Sequence, residues 1–289
     1  MSLNKMYFAL SPNKLDISII MKMRPKNILI SYAVWCKQNG KNKLSDIVQY
    51  FWDNSYHPNI ILDSGAYTFR NDSQESSFLS YIEPMVFASY YDNNLENCEF
   101  DSYEDCLLFY IDLIRNKELD VYYDDYNLLK DYPNFLKYID FIEDNKEYIN
   151  YIIALDDINN EKISKDNWFV LQCFFKDVIP TFHYGENLDT LDYYINNNAK
   201  YIALGGVAVA KKNGASFKNI INWVNDCALR CPDKKLHLFG CQDGRILKNV
   251  AVYSADGTSW IISAGKKYKK LNMNKFDLAC DYIKKYENY

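Results

Sequence analysis

The sequence predicts a (β/α)₈ barrel of the TIM type, with a helical insertion between its third and fourth strands. Eight short apolar runs are bounded by turn residues, and amphipathic stretches of helical length separate most of them. Strands that are apolar throughout are typical of a parallel sheet covered by helices on both faces. A doubly wound open sheet would give the same pattern and is the alternative fold.

The predicted strands follow one another from the amino terminus to residue 256. They are MYFAL (6–10), NILISY (27–32), NIILD (59–63), YIIAL (151–155), VIPTFH (178–183), YIALG (201–205), LHLFG (236–240) and VAVYSAD (250–256). Each is rich in the β-branched, aromatic and aliphatic residues that favour strands.

Amphipathic stretches between these strands predict helices over 102–116, 134–148, 187–198 and 217–230. The segment from 64 to 150 is too long for one crossover and must hold the inserted helices. Because no repeat or low-complexity linker divides the chain, we expect a single barrel domain over residues 1–289.

Composition excludes several classes of protein. The 289 residues are 48% hydrophobic, which suffices for a large core, but no apolar run reaches the roughly 18 to 20 residues of a membrane span. Without a secretory signal we expect a cytoplasmic location and reduced thiols for the eight cysteines. The leading Met-Ser-Leu is given no structural meaning. A net charge of −5 provides no overall basic field for nucleic acid.

Polar residues and glycines cluster where the predicted strands end. They occur in LDSGAY (62–67), ALDDI (154–158), FHYGEN (182–187), LGGVA (204–208), LFGCQDG (238–244) and SADGTSW (254–260). The carboxyl ends of parallel barrel strands meet on one face, so Asp63, Asp156 and Asp256 should point into one pocket. Taken singly, each aspartate is equally well explained as a turn former.

The ordered set of motifs between about residues 59 and 260 resembles the tRNA-guanine transglycosylase superfamily, the queuine and archaeosine tRNA-ribosyltransferases and their phage-type relatives that modify DNA. The resemblance implies a pentosyltransferase that replaces guanine in tRNA or DNA by a 7-deazaguanine. By the same resemblance Asp256 matches the nucleophile that forms a covalent glycosyl intermediate, and Asp63 matches the general acid/base.

The resemblance also implies a set of base-binding residues at these strand ends: Ser64, Gly65, Asp156, His183, Gly205 and Gly206. Asp156 would accept hydrogen bonds from the base edge. The glycine pair would let a flat heterocycle approach the main chain. The structural alternative for the pair is a tight strand-to-helix turn.

The chain departs from the tRNA enzymes in two ways. Its tail lacks their cysteine-rich zinc element. Cys227, Cys231, His237 and Cys241 have a suggestive spacing, but strand alternation directs His237 and Cys241 away from the helix end, so we predict no metal and no cofactor. The glycine pair continues as VAVAKKNG without the usual acidic residue, which favours a minimal or phage-type branch acting on DNA.

Basic segments suggest a track for the polymer backbone, although a solvated charge run is the commoner explanation. The lysines concerned are Lys211, Lys212, Lys266, Lys267, Lys269 and Lys270. The expected partners are a guanine or 7-deazaguanine base and tRNA or DNA, with no membrane, and a homodimer or partner subunit is left open. Two other functions remain alternatives: a small-molecule nucleoside hydrolase or base-exchange enzyme, and a catalytically inactive barrel subunit.

Overall fold

A computed structural model of the chain describes residue 3 and residues 5–36, 43–65, 77–91, 100–115 and 133–287. Met1, Ser2 and the Ala66 and Tyr67 of the LDSGAY motif lie outside these residues. The described strands are β1 (Lys5–Leu10), β2 (Asn27–Ser31), β3 (Asn59–Asp63), β4 (Tyr151–Ile152), β5 (Thr181–His183), β6 (Tyr201–Gly205), β7 (Lys235–Leu238) and β8 (Ser254–Gly257).

Helices connect these strands and form the outer layer. Their bounds are α1 (Lys14–Met23), α2 (Tyr32–Cys36), α3 (Leu44–Asp53), α4 (Phe78–Tyr91), α5 (Tyr103–Arg115), α6 (Pro133–Asn145), α7 (Glu161–Phe174), α8 (Leu188–Asn196), α9 (Val207–Lys212), α10 (Phe217–Arg230), α11 (Gly244–Leu247), α12 (Ser259–Leu271) and α13 (Lys275–Glu287). Several begin at a side-chain cap, as where the Asp16 N–H donates to Asn13 at 3.0 Å. Across the described segments, no helix is long and apolar enough to cross a bilayer.

All eight strands are parallel and lie in one sheet with the order β4-β3-β2-β1-β8-β7-β6-β5. A parallel bridge between Ile153 and Ile179 joins the two outer strands of that order. The Ala154 N–H donates to the Ile179 carbonyl at 2.9 Å, and the Ile179 N–H donates to the Ile152 carbonyl at 2.8 Å. The predicted (β/α)₈ barrel is therefore confirmed, and so is the insertion, because α4, α5 and α6 lie between β3 and β4.

The largest differences from the predicted elements concern strand ends. The predicted strand 178–183 is reduced to Thr181–His183, since Pro180 has no N–H to give to a ladder. The predicted strand 250–256 begins only at Ser254, and the preceding Tyr253 N–H still donates to the Leu236 carbonyl at 2.9 Å. The helices over 134–148 and 187–198 end two to three residues earlier than predicted, and 217–230 agrees with α10. Asn116, the last residue of the predicted helix 102–116, lies outside the described residues.

Strand side chains alternate between two apolar layers. Tyr7, Leu29, Ile61, Tyr201 and Ala203, together with Ile153 and Ile179, fill the barrel interior. The residues between them, such as Phe8, Ile28, Ile60 and Ile202, pack against the helices. This arrangement explains why the strands are apolar on both faces. It also fixes which residues beyond each strand point into the barrel mouth.

Gly65, which follows β3, is the tightest glycine position near that mouth. An ideal Cβ there would lie 2.4 Å from the Ala33 Cβ and 2.7 Å from the Ser31 Oγ, and the backbone has φ +80°. Gly214 has a similar φ of +92° but nothing within 4 Å of an ideal Cβ. Gly65 therefore combines a steric requirement with a conformational one.

We expect Gly65→Ala to lower the free energy of unfolding by about 1–3 kcal/mol more than Gly214→Ala, because only the first substitution adds a steric clash to the left-handed backbone. Urea denaturation followed by circular dichroism measures both. Equal losses in the two variants would show that the β3 end can shift away from α2.

Candidate active site

A cavity of about 330 Å³ opens at the carboxyl ends of the strands. Asp63, Asp156 and Asp256 all line it, and so does His183. Its remaining wall is mostly apolar and includes Leu10, Leu29, Val34, Ile158, Val207 and Phe239. The cavity thus brings three carboxyl groups and one imidazole together against an apolar surface.

Strand alternation accounts for two of these carboxyl groups. Asp63 lies two residues after Ile61 of the barrel interior, and Asp256 lies two residues after Ser254, whose Oγ bonds the buried Tyr201 hydroxyl. Residues two apart on a strand share a face, so both aspartates point inward. Since β2 and β1 lie between β3 and β8, Asp63 and Asp256 approach the cavity from separate sides.

His183, at the end of β5, is held between two carboxyl groups. Its Nε2 lies 2.8 Å from the Asp156 Oδ2, and its Nδ1 lies 2.9 Å from the Glu186 Oε1. Glu186 also accepts the backbone N–H of His183 at 2.8 Å. Burial lowers the pKa of His183, but the hydrogen bonds to Asp156 and Glu186 outweigh it and raise this pKa to about 10. At neutral pH both ring nitrogens therefore carry protons and donate.

The glycine pair at the end of β6 lies against this histidine. Gly205 pairs with His183 in the sheet, and a Cβ on Gly205 would lie 2.6 Å from the His183 Cδ2. Gly206 caps α9 in the left-handed conformation with φ +78°. Gly206 lines the cavity, whereas Gly205 does not. The space left by the missing Cβ of Gly205 is thus taken by the imidazole ring, and the turn explanation fits Gly206.

Asp63 is a carboxyl group that binds a proton readily. Burial, followed by the charges of Asp156 and Asp256, raises its pKa to about 7, although hydrogen bonds from the Gly65 N–H and the Ser31 hydroxyl act in the opposite direction. A like charge nearby disfavours a second carboxylate in the same cavity. Asp63 is therefore partly protonated at neutral pH.

Asp256 has two neighbours from β7 and the segment after it, His237 and Gly240. The Gly240 N–H donates to its Oδ1 at 2.7 Å, and the His237 Nε2 lies 3.3 Å from the same oxygen without hydrogen-bond geometry. The His237 Nδ1 lies 2.5 Å from the Ser254 Oγ, which fixes the ring inside the barrel. An N–H that points at a carboxylate oxygen fixes the orientation of that carboxylate.

The other predicted base-binding residues lie close by. Ser64 is buried and donates to the Asp156 Oδ1 at 3.1 Å, so it positions that carboxylate instead of lining the cavity. Gly65 lines the cavity. The structure therefore groups Asp63, Gly65, Asp156, His183, Gly206 and Asp256 around one space, with Ser64 and Gly205 behind it.

The six lysines of the predicted backbone track lie on two helices. Lys211 and Lys212 end α9, and Lys211 lies 3.9 Å from the Asp243 carboxylate. The other four lysines lie seven to eleven residues into α12, which begins at the mouth. With a rise of about 1.5 Å per residue they are roughly 10 to 17 Å along that helix from its start.

The cysteine and histidine spacing considered for zinc does not converge. Cys227 and Cys231 are buried between sheet and helices, whereas His237 points into the barrel toward Ser254 and Asp256. Among the residues that the structure describes, no group of three His, Cys, Asp or Glu side chains could hold a metal ion.

The sequence motifs did not identify three features of the site. Glu186 was not identified, although its spacing three residues after His183 in FHYGEN is a signal for a turn that folds back on the histidine. The contacts of Gly240 and His237 with Asp256 depend on the β7–β8 register, which no local motif carries. The apolar wall from Phe239 and Val207 likewise depends on tertiary placement.

Comparison with known proteins yields no match to a family model and none to a curated protein. Solved structures do match. An aldolase, YdjI of Escherichia coli K12, has a TM-score of 0.47 and 8% identity, over 98% of this chain and 88% of that one. Tryptophan synthase subunit alpha of Legionella pneumophila str. Paris has a TM-score of 0.46 and 8% identity, over 99% of this chain and 94% of that one. A protein of Aquifex aeolicus VF5 has a TM-score of 0.48 and 9% identity, over 98% of this chain and 92% of that one.

These findings overturn the resemblance to the tRNA-guanine transglycosylases. No family model or curated protein supports it, and the two structures above whose titles name a function are an aldolase and a tryptophan synthase subunit alpha. The prediction of a pentosyltransferase that inserts a 7-deazaguanine into tRNA or DNA, and of a phage-type branch, is therefore wrong. A nucleoside hydrolase or base-exchange enzyme fits no better.

The error has a physical origin in the motifs themselves. Short combinations of Asp, Ser and Gly arise wherever a buried strand must turn into a helix. Here the glycine pair provides room for His183 and caps α9, which are needs of the fold.

We expect Asp63→Asn to stabilise the protein at about pH 8 and to have little effect near pH 4. A carboxyl whose folded pKa of about 7 exceeds its ordinary 3.8 binds its proton more tightly in the native state, so stability falls as the pH rises between these values. Asn stays neutral throughout. Each pKa unit is worth about 1.4 kcal/mol, so the melting temperature at the higher pH should rise by several degrees. A pH-independent difference would contradict the assignment.

We also expect the His183 ring to keep both N–H protons at neutral pH and to lose one only as the pH approaches about 10. Nitrogen-detected NMR of the histidine rings follows this directly, with the exposed His57 as an internal reference. Glu186→Gln removes one of the two anionic acceptors and should lower the pKa of His183. A His183 that titrates near pH 6.5 in the native protein would contradict its position between the Asp156 and Glu186 carboxylates.

Proposed function

We propose that this chain is an enzyme that uses Asp63 and Asp256 as a paired general acid and general base on a small substrate. The observation that carries the proposal is the contrast between the two carboxyl groups in one cavity. Asp63 has a pKa raised to about 7, and Asp256 is oriented by the Gly240 N–H. A pair of titratable groups in different environments is the usual arrangement for acid and base roles.

The reaction class that suits this pair is an isomerisation or a lyase-type cleavage driven by proton transfer. Asp256 takes a proton from a C–H or O–H of the substrate. Asp63 gives its proton to the oxygen or nitrogen that gains electrons or departs. The two carboxyl groups then exchange protons with solvent to restore the starting state. Because the two groups approach the cavity from separate sides, a substrate between them can meet both at once.

Asp156 and His183 act as positioning residues in this proposal. The His183 imidazolium and the Ser64 hydroxyl each occupy one oxygen of Asp156. The remaining lone pairs of Asp156 can accept hydrogen bonds from substrate hydroxyl or amino groups. A charged His183 is not available as the general base, which leaves that role to Asp256.

The lining favours a reacting end that is uncharged or cationic. Of the described residues that line the cavity, none is Lys or Arg, whereas three are aspartates. The apolar wall suits a hydrocarbon face, and a volume of about 330 Å³ lies near the lower limit for ligand pockets. Small hydroxy-carbonyl compounds meet these requirements, since a carbonyl acidifies the adjacent C–H.

The test is turnover of a panel of small hydroxy-carbonyl compounds in D₂O, followed by proton NMR for deuterium uptake or new products. We expect Asp256→Asn and Asp63→Asn each to lower the rate at least about 100-fold, the usual contribution of a general acid or base. The wild-type rate should fall as the pH rises through about 7, because Asp63 must be protonated to act as the acid.

The matched control is Asp157→Asn. It makes the same change in the residue that follows Asp156, outside the cavity. Asp157 accepts the Asn159 N–H at 2.7 Å and does not line the cavity. Its variant should retain wild-type turnover. Wild-type turnover in Asp256→Asn with an unchanged melting temperature, or no wild-type turnover above buffer with any compound, would contradict the proposal.

A further inference from the structure

A second cavity of about 590 Å³ adjoins the candidate active site. It lies between the segment after β7, the short helix α11, the start of α12 and the end of α13. Gly240 lines both cavities, and the same residue donates its N–H to Asp256. A ligand in the second cavity therefore lies next to the proposed general base.

The second cavity is strongly basic, in contrast to the first. Its lining contains one carboxylate, Asp243, and four cationic side chains: Lys211, Arg245, Lys248 and Lys285. The whole chain carries a net charge of −5. This concentration of positive charge therefore runs against the composition of the protein and creates a local field that attracts anions.

Two of the cations are held in place. The Arg245 Nε lies 3.0 Å from the Asp243 Oδ1, and its Nη2 lies 2.8 Å from the Oδ2. The guanidinium also lies 4.1 Å from the centroid of the Phe217 ring, with the Lys211 Nζ at 5.3 Å from the same centroid. Hydrogen bonding to Arg245 lowers the pKa of Asp243, so this carboxylate stays charged and keeps both cations oriented.

Neutral donors complete the lining. Ser259 and Ser263 contribute hydroxyl groups, and Ser259 opens α12, a helix of 13 residues whose amino-terminal turn carries partial positive charge. Fixed guanidinium and ammonium groups with hydroxyl donors are the chemistry that recognises a phosphate dianion.

We propose that the second cavity binds a phosphate group of the substrate while the reacting end lies in the first cavity. This inference rests on the proposed acid–base function for its account of the reacting end, but the phosphate site itself does not. It divides the substrate into an uncharged or cationic end beside Asp63 and Asp256 and an anionic end beside Lys211 and Arg245. Gly240 would lie between them, next to the bond that joins the two parts.

The direct test is titration of the full chain with inorganic phosphate by calorimetry. Chloride at matched ionic strength controls for general screening. We expect Lys211→Gln and Arg245→Gln each to weaken phosphate binding at least about tenfold. Lys212→Gln is the matched control, since Lys212 is the exposed neighbour of Lys211 and does not line the cavity. It should change the dissociation constant less than about twofold. Lys285→Gln, at an exposed position, provides a further lining variant that does not disturb Asp243.

The outcomes separate this inference from the proposed function. Phosphate binding that survives in Asp63→Asn and Asp256→Asn but weakens in the Lys211, Arg245 and Lys285 variants supports the site whatever the reaction. Absence of phosphate binding, equal competition by chloride, or equal loss in Lys212→Gln overturns it, even if turnover of free hydroxy-carbonyl compounds confirms the acid–base pair. A lower KM for a phosphate ester than for the free compound, lost in Arg245→Gln, supports both proposals together.

Discussion

The arrangement of the barrel mouth depends on the burial of a charged His183 between Asp156 and Glu186. Removing one partner from a buried ion pair costs about 3–5 kcal/mol, because the other charge stays in place without solvent. The end of β4, the end of β5 and the turn before α8 must therefore keep their relative positions to within hydrogen-bond distance. Gly205 meets the same constraint from β6 by leaving room for the ring.

The contacts of His183 with Asp156 and Glu186 also affect the protonation of Asp63. The His183 charge is paired with Asp156 and Glu186, and the described lining of the cavity contains no Lys or Arg that could pair with Asp63. Asp63 instead meets the charges of Asp156 and Asp256 within a poorly solvated wall and takes up a proton. The arrangement that pairs Asp156 with His183 thus leaves Asp63 partly protonated at neutral pH.

The sequence predicted what depends on local pattern. Apolar runs with helical spacers located the barrel strands, and the period of two placed Asp63 and Asp256 on the inner face. It could not predict what depends on register and approach between distant segments. The contacts of His183 need Asp156 from 27 residues earlier, and the role of Gly205 follows from its pairing with His183. Strand-end motifs such as DSG and GG also satisfy the turn geometry that follows a buried strand, so they indicated a wrong family.

The two neighbouring cavities keep opposite charges apart. Three aspartates line the first cavity, and four Lys and Arg side chains line the second. A lysine or arginine beside Asp63 would stabilise its charged form and so remove the proton that it gives as an acid. Here Gly240 lines both cavities, and its N–H is directed to Asp256. Asp243 holds Arg245 and Lys211 in the second cavity. The segment after β7 therefore keeps a proton-transfer cavity and an anion-attracting cavity adjacent but electrostatically distinct.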